Sequence, residues 1–223
     1  MRKLAVSTFL TLDGVMQAPG GPEEDPSGGF AHGGWSVNYW DDDMAQFMAE
    51  RMSVPFDLVL GRRTYEIFAA HWPNAPEEAG AKPLNEAKKH VATRTLKSLE
   101  WQNSFVIEGD VAASVARLKE EDGPELQVHG SSNLIQTLLR TNLIDEFRLM
   151  IFPVVVGQGK RLFADGTLPS GLKVTDSKVS STGVVIGTYV PAGEIPIGSF
   201  ALDEPTEAEV ERRRKQEAEP PSP

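Results

Sequence analysis

Two hydrophobic rhythms alternate along the chain. Residues 4–10, LAVSTFL, are rich in β-branched and aromatic side chains and stop at the turn-forming pair Asp13-Gly14, which predicts a first strand. Met44, Phe47, Met48 and Met52 then share one helical face behind a run of aspartates, which predicts a helix over 41–52. VPFDLVLG, residues 54–61, is short and almost continuously apolar, as in a strand covered on both faces. The helix after it carries Tyr65, Phe68, Ala69 and Trp72 on one side and ends at Pro73 and Pro76. Further strands are predicted over 89–95, 103–109, 126–130 and 146–156, helices over 111–120 and 132–140, and two closing strands near 171–179 and 183–190. Strands alternating with helices of about ten residues predict an α/β fold with a mostly parallel sheet, and the consecutive late strands predict an antiparallel C-terminal edge.

Two stretches break the rhythm. Residues 17–34 form a long glycine- and proline-rich loop, and a structureless loop of that length in a compact domain is usually functional or mobile. From residue 203 the chain reads DEPTEAEVERRRKQEAEPPSP, too polar to order itself by burial, although Thr206 is placed to cap a short solvated helix. The expected organisation is one domain over 1–200 and a charged tail over 201–223, disordered or briefly helical.

The 223 residues carry a formal net charge of -10, which argues against a nucleic-acid surface. There is no cysteine, so disulfides and thiolate metal sites are excluded, and the histidines show no metal-ligand spacing. No window is long and apolar enough to span a membrane, and the N-terminus reads as a strand without a small-residue cleavage site. These features point to a cytoplasmic enzyme or binding protein acting on a small molecule. In so acidic a chain, an anionic ligand has to be held by a few local cations.

Three strand ends supply them. LGRRT places Gly61, Arg62, Arg63 and Thr64 where a strand hands over to a helix. In an open α/β sheet this is where outward-facing N–H groups favour negative charge. VATRT puts Thr93, Arg94 and Thr95 at a second strand end, and VHGSSNLI opens a helix with Gly130, Ser131, Ser132 and Asn133. Each stretch alone also reads as a helix cap or polar strand exit, but together they suit one phosphorylated ligand.

The succession TLDG, LGRRTYE, TRT, VHGSSNLIQTLL and LIDEFRLMIFPVVVGQGKRLF resembles the reductase domain of bacterial riboflavin biosynthesis, the RibD C-terminal domain. More broadly it is similar to the dihydrofolate-reductase-like superfamily, over about residues 1–190. The resemblance implies a three-layer fold with a mostly parallel sheet of about eight strands, NADPH bound across the strand ends, and a homodimer. It implies that Arg62, Thr93 and Arg94 meet the 2′-phosphate and adenine side, while Arg63, Thr64 and the Gly130–Asn133 turn hold the pyrophosphate. Phe9, Leu12, Asp13, Gly14 and Met16 would flank the nicotinamide. Asp13 also reads simply as a turn former. Ser131 stands where the resembling families usually have a second glycine.

Dihydrofolate reductases carry an acid on the first helix, which makes one of Asp41, Asp42 and Asp43 a candidate proton donor; aspartates at a helix start also serve as caps. Trp35, Trp40 and Trp72 are candidates to wall a pocket, or to pack the core. His129, beside the phosphate turn, is placed to touch cofactor or to lie half buried. Asp145 and Glu146 read as structural, and VVGQGKRLF as a bent strand connection, since it lacks phosphate-loop spacing. The function expected is NADPH-dependent reduction of a small heterocycle, as by a 5-amino-6-(5-phosphoribosylamino)uracil reductase. A reductase of another heterocycle or carbonyl compound, or a nucleotide-binding module without catalysis, is the alternative.

Overall fold

The computed structural model describes residues 1–219. Its eight strands are β1 (Leu4–Thr11), β2 (Phe56–Gly61), β3 (Lys89–Ala92), β4 (Ser104–Val106), β5 (Glu125–His129), β6 (Glu146–Phe152), β7 (Leu172–Val179) and β8 (Val185–Pro191). The helices are α1 (Asp42–Met52), α2 (Arg62–His71), α3 (Ala81–Glu86), α4 (Val111–Glu120), α5 (Ser132–Arg140) and α6 (Glu207–Ala218). The strands form one sheet in the order β4-β3-β2-β5-β1-β6-β8-β7. All neighbours pair in parallel except β8, which runs antiparallel to both β6 and β7. The predicted α/β class and antiparallel C-terminal edge are therefore both present.

Several boundaries differ from the sequence pattern. The strand predicted over 89–95 ends at Ala92, because the Thr93 hydroxyl accepts from the N–H groups of Thr95 and Leu96 and turns the chain out of the sheet. The strand predicted to reach 156 ends at Phe152, next to Pro153, which lacks a ladder donor. Helix α3 was not predicted; its six residues include Pro83 in the first turn, where a missing N–H does no harm. In the tail, α6 is capped by the Thr206 hydroxyl, which accepts from Glu209 N–H.

The alternation of side chains across each strand separates two unlike faces. One face is largely apolar: Leu4, Val6, Val59, Leu126, Val128, Phe147 and Leu149 pack against Val115 of α4 and Leu134, Ile135 and Leu138 of α5, with Asp57 and His90 paired on the same face toward β3. The other face carries two separate apolar clusters. Phe56, Leu58, Leu60 and Val91 pack with Tyr65 of α2 and Leu84 of α3; Met150, Phe152 and Ile186 pack with Met44 of α1. Between them, on adjacent β5, β1 and β6, register aligns Gln127 with Ala5 and Glu146, and His129 with Ser7 and Arg148. The sheet is thus polar at its centre on one side only.

Phe152 joins this face to the loop after β1. Its fully buried ring lies 5.5 Å from Phe9, 5.2 Å from Trp35 and 6.0 Å from Tyr39, centroid to centroid. Phe152→Ala is expected to cost roughly 3–5 kcal/mol in urea unfolding, the usual range for a buried phenylalanine. Faster amide exchange in 17–40 should accompany it.

Candidate active site

A cleft of about 1520 Å³ opens over the polar centre of the sheet. It is lined by Phe47, Met48 and Met52 of α1, by Phe68 and Trp72, and by the loop after β1.

Two helix starts meet at this cleft without side-chain caps. Helices α1, α4 and α6 are capped by Asp41, Asp110 and Thr206. Neither α2 nor α5 has such a cap. Gly130 and Ser131 both adopt left-handed backbone, φ 58° and 68°, and the peptide between them is trans. That conformation suits glycine and strains serine. Ser131 spends its hydroxyl on Gly61 N–H at 2.9 Å instead of capping its own helix. This bond ties the end of β2 to the turn after β5, so the first N–H groups of α2 and α5 stand side by side and available to an anion. Thr64 closes against the turn: a Cβ added at Gly130 would lie 3.4 Å from its hydroxyl oxygen.

The predicted cofactor residues divide into two groups. Phe9, Met16, Gly61, Arg62, Arg63, Thr64, Thr93, Arg94, Thr95, Gly130, Ser131, Ser132 and Asn133 all line the cleft. The guanidinium of Arg62 donates to both oxygens of Glu66 at 3.1 Å, an exposed pair of small worth. Arg94 is exposed and makes no side-chain hydrogen bond or ion pair among the described residues. Leu12, Asp13 and Gly14 lie outside the lining. Leu12 is solvent-exposed. Asp13 accepts from the Thr11 hydroxyl at 2.6 Å and from Gly157 N–H at 2.8 Å, which holds its pKa below the usual carboxylate range. Gly14 needs its φ of 81°, not a close neighbour: a Cβ there would meet nothing within 4 Å.

The three aspartates of the first helix also lie outside the lining. Asp41 caps α1 through Met44 N–H at 3.1 Å and accepts from Ser181 and from Thr182 N–H. Partial desolvation acts to raise its pKa, but these donors outweigh it and hold the group ionised. Asp43 pairs with Lys178 at 2.5 Å, and Asp42 is exposed in the first turn. Trp40 and Trp72 line the cleft, whereas Trp35 donates to Gln17 O and packs on Phe152. Asp145 accepts from Leu4 N–H and pairs with Lys119.

Sequence reasoning did not find the floor. Arg148 is almost fully buried yet lines the cleft, its guanidinium gripped by Glu125 through two 2.7 Å bonds and by Glu146 at 2.6 Å. Glu125 also accepts from the Gln127 amide at 3.0 Å. With its nitrogen committed as donor, Gln127 offers its oxygen to His129 Nε2 at 2.9 Å. His129 therefore carries its proton on Nε2 and presents an acceptor at Nδ1. Burial, reinforced by the Arg148 charge, lowers its pKa to about 4. Only a period-two count placing Glu125, Gln127, His129 and Arg148 on one face would have revealed this floor.

A profile of the RibD C-terminal domain matches residues 2–186. The chain belongs to the RibD C-terminal domain family. It is 29% identical to the uncharacterized protein YyaP of Bacillus subtilis (strain 168), covering 84% of this chain and 94% of that one. It is 26% identical to YwjB of the same organism, covering 79% and 91%. Among solved structures, a diaminohydroxyphosphoribosylaminopyrimidine deaminase/5-amino-6-(5-phosphoribosylamino)uracil reductase from Thermotoga maritima superposes with a TM-score of 0.56 at 15% identity. The match covers 86% of this chain and 57% of that one. A pyrimidine reductase-like protein from Corynebacterium diphtheriae superposes with a TM-score of 0.55 at 12% identity, covering 86% and 93%. At these identities the superpositions establish the fold.

The neutral histidine on the floor of this family member sets a pH dependence. His129 titrates near 6.5 when unfolded and near 4 when folded, so between these values the unfolded chain binds the extra proton. Its contribution is fully present above pH 6.5 and is lost as pH falls toward 4, up to about 3 kcal/mol. Urea melts at pH 7 and pH 4.5 should show a smaller loss in His129→Asn than in wild type; equal losses would refute the assignment.

Proposed function

We propose that the protein is an NADPH-dependent reductase of a small heterocyclic substrate, similar in reaction to the 5-amino-6-(5-phosphoribosylamino)uracil reductases of riboflavin biosynthesis. The observation that carries this reading is the pair of uncapped helix starts, α2 and α5, locked together by Ser131 and flanked by Arg62 and Arg94 on one cleft. A phosphorylated dinucleotide fits that donor set. The N–H groups of both helices and Thr64 suit the pyrophosphate, and the two arginines suit a 2′-phosphate. Glu66 gives up Arg62 at little cost, since exposed helical pairs contribute about 0.3–0.5 kcal/mol.

Bound NADPH supplies a hydride, and the chain's task is to orient the ring, exclude water and manage one proton. Phe9 and Met16 are the apolar surfaces for the nicotinamide, and the apolar lining of Phe47, Met48 and Trp72 suits a planar heterocycle. The Nδ1 acceptor of His129 and the hydroxyl of Ser7 are available on the floor to hydrogen-bonding groups of that heterocycle. The position of Asp41, Asp42 and Asp43 outside the cleft lining favours, as second reading, a binding module without turnover. NADPH fluorescence titration tests binding, and loss of NADPH absorbance with a panel of pyrimidines and pteridines tests turnover. Binding without turnover on any substrate would select the module.

Arg62→Ala and Arg94→Ala are each expected to weaken NADPH by roughly 1.5–3 kcal/mol, the value of a hydrogen bond to a charged group. NADH, which lacks the 2′-phosphate, should lose much less. Equal losses for both dinucleotides would remove the 2′-phosphate assignment.

A further inference from the structure

The loop after β1 is a strap with a built fixture. The buried side-chain amide of Gln17 donates to the carbonyls of Asp25 and Ser27 at 2.9 Å each, and its oxygen accepts from Lys160 N–H at 3.1 Å. Trp35 Nε1 donates to Gln17 O, Gly34 N–H to Ala18 O, and the Ser36 hydroxyl to Pro19 O, closing the strap at its base. The turn at 25–27 is thereby fixed against the connection between β6 and β7, and it reaches over the cleft mouth to α2.

At its tip two cations from distant parts of the chain meet one carboxylate and one hydroxyl. Arg63 donates to Asp25 Oδ1 at 3.0 Å and to the Ser27 hydroxyl. Lys160 donates to Asp25 Oδ2 and, at 2.8 Å, to the same hydroxyl. All four residues line the cleft. Among the described residues, the two bonds of Arg63 are the only hydrogen bonds or ion pairs between residues 17–34 and residues 61–140. Partial burial acts to raise the Asp25 pKa, but Lys160 and Ser27 outweigh it and keep the carboxylate charged. Glu23 and Glu24 lie beside it on the strap and reach neither cation.

We propose that Arg63 and Lys160 form a phosphate-binding site that Asp25 and the Ser27 hydroxyl fill from within, so that phosphate binding and release of the strap from α2 are one coupled event. Two oxygens of one carboxylate bridging two cations are what a phosphate monoester or diester would supply with greater charge. The phosphate has two sources, the dinucleotide or a phosphorylated substrate. The inference rests on the reductase reading only for the first of them.

Calorimetric titration of the full chain with NADPH, ribose 5-phosphate and inorganic pyrophosphate tests it. Asp25→Asn removes the competing charge while its amide oxygen still accepts from Ser27, and is expected to tighten at least one phosphate by about five- to tenfold, the order of one exposed ion pair or slightly more. A gain for NADPH alone identifies the dinucleotide as the source; a gain for ribose 5-phosphate alone identifies the substrate, and it would stand even where NADPH fails to bind. Lys160→Gln should weaken the same probe in both backgrounds. In wild type, saturating pyrophosphate should speed amide exchange within 17–34, a readout independent of how the variants fold. Unchanged or weaker binding of all three probes by a folded Asp25→Asn, or unchanged exchange in wild type, would make the cluster an ordinary structural ion pair and overturn the proposal.

Discussion

Arg148 cannot be left alone at the centre of the sheet. A guanidinium with 7% of its side chain exposed loses most of its hydration, and removing one partner from such a buried charge typically costs 3–5 kcal/mol. Glu146 answers it from its own strand and Glu125 from β5, across β1. Once those two carboxylates are fixed, Gln127 has one orientation, His129 one tautomer, and the centre of the second face no large apolar side chains with which to close over itself. The two apolar clusters on that face therefore pack to either side, and the cleft is what lies between them. Hydrophobic burial alone would have favoured a continuous core and no site.

The same logic separates helix starts that are finished from those that are open. An aspartate before α1 and another before α4 satisfy first-turn N–H groups within the chain, as capping residues do. At α5 the residue in the capping position is a serine in left-handed conformation, and its hydroxyl faces away, to Gly61. The fold thus withholds a cap at the place where a ligand could provide one. Strain at Ser131, held by a bond between elements seventy residues apart, is consistent with a turn built for binding.

This division explains what was legible. Apolar periodicity reports burial, so β1, β2, α4 and α5 stand close to where their patterns place them, as do the strand ends with their arginines, threonines and small residues. Polar side chains that satisfy one another across long separations leave no such trace. Asp41 resembles a proton donor in the text because capping aspartates and acids on a first helix share the same address; the seryl and threonyl donors that fix it are 140 residues away. Thr93 and Arg94 look like strand until the Thr93 hydroxyl is seen to turn the backbone. Lys160, within a glycine-rich connection, acquires significance only when Asp25 is seen beside it.

The strap and the floor impose opposite requirements on charge. On the floor, two carboxylates are matched by Arg148 and, at Glu146, by Lys3, so a ligand meets oriented hydrogen-bonding groups already paired within the protein. At the mouth, the carboxylate that matches Arg63 and Lys160 sits on a loop that, among the described residues, is bonded to α2 only through Arg63, so the match is replaceable. A chain with a formal net charge of -10 gains from this arrangement. Uncompensated cations at the mouth would draw the chain's own acidic segments as readily as a ligand, whereas cations held by a replaceable internal anion yield only to a group of greater charge and better geometry.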